Sequence, residues 1–510
     1  MRATSSPQGR LRRLIALGLP VLFGSFAATA APALPDSPQA WRAAARADIE
    51  AAVRITRENH PGPHDPHNPA FGPNLEAARV HGLALAERVV DAPGYMAAIM
   101  GFNVRIGDGH AGAYPRIDEA SLPPARWPGF VSVWRGDALY VHSAQPGAPA
   151  AGSRLLGCDG KDAQQLIRDN VFSFQGRVKE DGQWWSAARR VFIDKHNPFV
   201  ALPQRCRFEL GGQVTEHALS WRAFDAEGER WLADSSWGEG GPVGVAEPRK
   251  NLYWVSMPTF QPDEKERAAY RAMFADVAAR RARWLALDAV VIDLRKNQGG
   301  NSDWSLWFAQ ALWGKARVTQ ASAAYDAGVE VWWRASPDNT AYMLSIVGRL
   351  EKEGNPEGAD WARTHGEGMR MALAQGKRFY VEKEETPVPA TAAAAEDGPP
   401  FTRPVYVIVP GNCASACLDA IDVFTRFPNT TLVGAPSSAD STYMEVRSAD
   451  VDSGLARVIV PNKVYVKRKR GNGEFYRPRI EVRDVVWSNA ALLKAVEADL
   501  ADSRVKAPSS

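Results

Sequence analysis

Two short runs with almost no polar interruption limit the possible folds most: Ala-Val-Val-Ile-Asp-Leu at 289–294 and Val-Tyr-Val-Ile-Val at 405–409. A strand with one face in water alternates apolar and polar residues. A strand that stays aliphatic needs apolar cover on both faces, which helices packed on a parallel sheet supply. Around these runs Asn251–Met257 and Thr431–Gly434 read as further strands. Pro262–Arg283 and Ser302–Trp313 read as amphipathic helices, and Asn489–Leu500 as a closing helix. The alternation predicts an α/β core over residues 250–500. Residues 315–400 read as an insertion in it, with a helical part (Ala341–Glu353) and a Pro/Ala tract from Pro387 to Pro400.

Sites in parallel α/β sheets form beyond the carboxyl ends of strands, and both runs end there in turn formers. Leu294 is followed by Arg295-Lys-Asn-Gln-Gly299-Gly300-Asn301, where two adjacent glycines can present backbone N–H groups to a ligand oxygen. Val409 is followed by Pro410-Gly-Asn-Cys-Ala-Ser415-Ala416-Cys417, after which Leu418, Ile421 and Phe424 recur at helical spacing. Ser415 thus stands at a strand-to-helix junction, where free N–H groups and the positive end of the helix dipole stabilise an alkoxide or an oxyanion. Ala414 and Ala416 leave its hydroxyl open. The plain alternative is a capping role, since serine is a favoured N-cap. Upstream, Ile106-Gly-Asp-Gly-His110-Ala-Gly112 sets a single imidazole in a glycine-rich loop, which makes His110 the general-base candidate.

The region from Trp41 to Met100 has helical periodicity, and residues 31–115 read as a helical N-terminal domain that ends in the loop of His110. Its one break, His60-Pro-Gly-Pro-His64-Asp-Pro-His67, lacks the i, i+4 spacing that aligns imidazole ligands, so no metal is expected there. Residues 127–171 read as a small β-rich module with a helix near Ala163–Arg168. Residues 172–250 carry weaker signals: a strand pair near Cys206–Leu219, and Gly238–Gly241, which does not have the context of a phosphate cradle.

Arg10, Arg12 and Arg13 precede an apolar run from Leu14 to Phe26 and a small-x-small site at Ala28–Ala30, the layout of a cleaved leader spanning 1–30. Removing its four arginines takes the formal charge from +3 to −1, a balance that recruits neither nucleic acid nor an anionic membrane surface. Lys467-Arg-Lys-Arg470 precedes Gly471-Asn-Gly473 and reads as hairpin-loop decoration. The four cysteines allow three pairings, Cys413 with Cys417 and Cys158 with Cys206 among them, or four separate buried thiols.

The ordered set VIDLRKNQGGN, VYVIVPGNCASACLDAIDVF, TLVGAP and FYRPRIEV resembles the tail-specific (C-terminal-processing) serine peptidase family, to which tricorn core domains are related. The resemblance implies a Clp/crotonase-like core of β–β–α units with Ser415 as nucleophile, and an oxyanion hole from the N–H of Ala416 and of Gly299 or Gly300. PAAGSRLLGCDGKDAQQLI, in the 127–171 module, resembles a divergent PDZ domain. The processing enzymes place a lysine base a few residues past the Val-Gly of the following strand. Here Val433–Asp440 holds none, so the similarity is to the non-processing, tricorn-like branch, with His110 as base. Gly109 stands where tricorn has a serine, and Glu474 is the approximate counterpart of its glutamate. The implied function is an exported, periplasmic or secreted serine peptidase acting on peptides or unfolded protein. No cofactor, metal or nucleic acid is implied, and no stable membrane insertion once the leader is removed. The alternative is a catalytically silent peptide-binding protein of the same fold.

Overall fold

The structure, a computed structural model, describes residues 33–382 and 398–506. The expected leader, and residues 387–397 of the Pro/Ala tract, lie outside the described residues.

At the centre is a six-stranded sheet in the order Gly244–Arg249, Leu252–Ser256, Ala289–Asp293, Val405–Val409, Thr430–Gly434, Ile480–Glu481. The first pair is antiparallel and every other neighbour is parallel. Side chains alternate strictly between two cores. Val255, Val290, Ile292, Val405, Val407 and Val409 pack under the helices Glu264–Ala279, Asp303–Trp313 and Ala416–Thr425. Trp254, Ala289, Val291, Tyr406 and Ile408 face Trp184, Trp185, Trp487 and the closing helix Asn489–Lys506. Both faces are covered, as an unbroken aliphatic run requires, and each fully buried valine or isoleucine contributes about 1.5–3 kcal/mol.

The second sheet shares that lower core. Its strands are Phe130–Arg135, Ala138–Ala144, Arg154–Cys158, Arg205–Leu210 and Gln213–Ala218, with Lys161–Asp162 paired to the third. It therefore extends past the 127–171 segment. Arg154–Cys158 finds its neighbour in Arg205–Leu210, with Cys158 opposite Cys206 and disulfide-bonded to it.

A third sheet joins segments far apart in sequence. Gly112–Pro115, Glu330–Arg334 and Tyr443–Asp450 all pair with the long strand Ala456–Val466, and Phe379–Val381 extends the edge. The N-terminal helices Pro38–Asn59, Phe71–Ala86 and Ala92–Ile106 pack on it through Tyr443, Val458, Val460 and Val464. The loop of His110 leads straight into Gly112–Pro115, so this sheet carries the imidazole toward the core. No helix of the described residues is long and apolar enough to cross a membrane.

Candidate active site

Ser415 follows the five-residue turn after Val405–Val409 and immediately precedes the helix Ala416–Thr425. Its backbone sits at φ 56°, ψ −132°, a region that non-glycine residues occupy at a cost of about 1–3 kcal/mol and that recurs at functional sites. The side chain makes no capping hydrogen bond, so the plain reading of Ser415 as an N-cap does not hold. Its N–H donates to Asp440 Oδ2 at 2.5 Å. A disulfide between Cys413 and Cys417 closes the turn around it.

Gly299 lies directly behind this turn. A Cβ added there would stand 2.8 Å from Ser415 Cβ and 2.9 Å from the Ala414 carbonyl oxygen. Its N–H donates to Asn297 Oδ1 at 2.9 Å, so the free donor expected of Gly299 is already engaged, and what the residue contributes is the absence of a side chain. Gly300 is pinned by Phe260, whose N–H donates to Gly299 O and whose carbonyl accepts Asn301 N–H. Among the described residues, the N–H groups of Ala416 and Gly300 have no intramolecular partner.

His110 is positioned by the carboxylate two residues before it. Asp108 Oδ1 accepts the His110 backbone N–H at 2.8 Å and the Ser441 hydroxyl at 2.7 Å. Its Oδ2 accepts from His60 Nε2 at 2.8 Å. Gly62 N–H donates to His60 Nδ1 at 2.8 Å, which places the ring proton of His60 on Nε2. His60 is fully buried between Phe71 and Tyr443, so the first histidine of the Pro-rich loop buttresses the next loop. Burial alone would raise the Asp108 carboxyl. The hydrogen bond and charge of His60, the charge of His110 and the Ser441 hydroxyl outweigh it and hold the group below its ordinary value.

Ser415 and His110 line the same cavity, of about 420 Å³, together with Asp440 and four arginines, Arg135, Arg177, Arg189 and Arg190. His110 Nδ1 is buried without a hydrogen-bond partner. Glu474 does not supply one: it is exposed, accepts the Gly471 N–H at 2.9 Å and stands outside the cavity lining. Gly109 faces the Arg177 guanidinium, which would meet its Cβ at 2.8 Å. Arg177 pairs with Glu180 and donates to Ala439 O, while Glu180 Oε2 accepts Ala439 N–H. These bonds clamp Ser438 and Ala439, in the lysine-free segment Val433–Asp440.

Behind the site, Lys467–Arg470 is not loop decoration. Arg468 and Arg470 form ion pairs with Asp419 and Asp422 on the helix that follows Ser415. Arg470 also reaches Asp440 at 3.9 Å. Among the described residues no cluster of His, Cys, Asp and Glu could hold a metal ion.

Residues 252–474 match the model of Peptidase family S41. In fold the chain is similar to the crystal structure of mature CPAF, at 13% identity and a TM-score of 0.59, with 91% of this chain and 98% of that one covered. The structure of mature CPAF complexed with lactacystin gives 14% identity and 0.55 over the same shares of the two chains. The tricorn protease is a weaker likeness, with 10% identity, a TM-score of 0.36, and 91% and 37% covered. No curated protein matches the sequence. The fold is the mixed α/β arrangement of the S41 peptidases, with a helical N-terminal region and β-rich domains.

Proposed function

We propose that this chain is a serine peptidase in which His110 activates Ser415. One observation carries the reading: an uncapped serine hydroxyl in a strained turn at a helix N-terminus shares a cavity with a single half-buried imidazole. In this reading His110 takes the Ser415 proton as Oγ attacks a peptide carbonyl. The oxyanion forms beside the unpaired N–H of Ala416 and Gly300. The imidazolium returns the proton to the leaving amine, and water then hydrolyses the acyl-enzyme. Asp440 holds the Ser415 backbone and Asp108 holds the His110 loop. The lysine-free Val433–Asp440 segment favours the tricorn-like branch. The leader-like residues 1–30 and two disulfides support work in the periplasm or outside the cell.

A second reading, a silent peptide-binding protein, is favoured by the unpartnered Nδ1 of His110. A fluorophosphonate probe separates the two. The peptidase reading expects labelling of the wild type, none in Ser415→Ala, and a rate about a hundredfold or more lower in His110→Ala. Labelling that survives Ser415→Ala rejects the nucleophile. Peptide binding with neither labelling nor cleavage establishes the silent protein.

A further inference from the structure

Three of the four cavity arginines have no carboxylate partner among the described residues. Arg135, 5% exposed, donates only to carbonyls, Asp484 O, Trp134 O and Val485 O, and stacks on the rings of Trp185 and Trp487 at 5.1 Å each. Arg189, 7% exposed, gives Nε to Ser186 O and Nη1 to Leu232 O, leaving Nη2 without a partner among the described residues. Arg190, exposed, gives Nη1 to Gln175 Oε1, and its Nε and Nη2 have no partner among the described residues. Arg177 is neutralised by Glu180, and Asp440, the one carboxylate on the lining, is engaged by Ser415 N–H and Arg470.

Carbonyl acceptors satisfy donors without cancelling charge. At Arg135 and Arg189 the wall beside the serine therefore holds positive charge with little water to screen it, a costly arrangement unless an anion completes it. Burial pushes both Arg135 and Arg189 down to about 9, in the same sense.

We propose that this wall is a carboxylate subsite. A carboxylate side chain of the bound peptide seats against Arg189 Nη2 and Arg190, and so fixes the register of the chain across Ser415. The register rests on the peptidase reading, whereas binding of the anion does not.

The test titrates full-length Ser415→Ala protein with four peptides, Glu or Gln at one position and each with a free or amidated C-terminus, followed by tryptophan fluorescence. Glu should tighten binding about tenfold or more over Gln, with either C-terminus. A gain confined to free C-termini overturns the side-chain subsite. Added Arg190→Gln should shrink the gap to about twofold, and added Arg190→Glu should turn preference toward a Lys peptide. Equal binding of all four peptides overturns the subsite whatever the wild type cleaves. A gap unchanged in both Arg190→Gln and Arg189→Lys overturns its assignment to these arginines. Carboxylate preference in a wild type that never cleaves sinks the peptidase reading alone.

Discussion

Replacing Gly299 by alanine puts one methyl group against the back of the nucleophile turn. The new Cβ would lie 2.8 Å from Ser415 Cβ, 2.9 Å from Ala414 O and 3.2 Å from Ala416 N. The first two distances are shorter than carbon tolerates. None of the three atoms is the end of a flexible side chain, and the turn that holds them is closed by the Cys413–Cys417 bridge. A second cost is the backbone, since Gly299 sits at φ +105°, a conformation worth about 1–3 kcal/mol of strain in an L-residue. Overpacking adds about 1–3 kcal/mol. The total of roughly 2–6 kcal/mol is relieved by pushing the 297–300 loop and Ser415 apart. A displacement of about 1 Å in a reacting group lowers rates about a hundredfold. The assay is the rate of fluorophosphonate labelling at Ser415 alongside a urea titration. We expect labelling about a hundredfold slower and a destabilisation of at least ~2 kcal/mol. Gly348→Ala, in the helix Val347–Lys352 with nothing within 4 Å of the added Cβ, should leave labelling unchanged. Wild-type labelling and a wild-type urea midpoint in Gly299→Ala would refute the packing described.

Asp440→Ala strands the Ser415 N–H and should cost about 1–3 kcal/mol, with labelling slowed at least about tenfold; Asp440→Asn, which keeps an acceptor oxygen, should recover most of the stability in the same two assays. Asp293→Ala leaves the fully buried Arg295 without its carboxylate and should lower unfolding free energy by about 3–5 kcal/mol; a urea midpoint at the wild-type value would contradict this. Burial, then the charge of Arg135, pushes the His142 imidazole down to about 4, and burial with Arg334 and Arg378 does the same at His64. Below about pH 6.5 the unfolded chain takes up protons that the folded chain refuses until about pH 4, so stability is full above that window and falls as pH drops through it. Urea midpoints at pH 7 and pH 5 should show this loss, and His142→Gln should remove part of the slope; an identical slope in the variant counts against a depressed His142.

What could be read from the chain was whatever repeats locally. Val405–Val409 declares a doubly covered strand because every position in it is apolar, and Ser415 follows because turn formers and helical spacing adjoin it. His110 stood out by its glycines, but its approach to Ser415 depends on Gly112–Pro115 pairing with Ala456–Ile459, a register no local pattern encodes. Nothing local singles out Asp440, because its bond to Ser415 N–H joins residues separated by a helix and a strand. The basic run at 467–470 was misread for a similar reason. Its counter-charges, Asp419 and Asp422, lie on one face of a helix some fifty residues earlier, and that i, i+3 acid pair was the available signal. Glu474 was chosen by approximate likeness alone, and its carboxylate turns back on its own loop. The β-rich sheet outgrew its expected end because Cys158 pairs with Cys206 across an intervening helical stretch.

Gly182 is wedged so tightly between two loops that a methyl group there would lie 2.2 Å from Ser437 O and 2.5 Å from Gly411 O. That one residue makes the stretch around 177–190 the roof of the pocket, although it falls outside the span that matches the family, as do His110 and Trp487. A fragment trimmed to 252–474 would keep the hydroxyl and lose the imidazole, the cationic wall and the keystone together. Such chemistry does not travel as a cassette: grafting it onto another scaffold, or dissecting it in the laboratory, means carrying almost the entire polypeptide along.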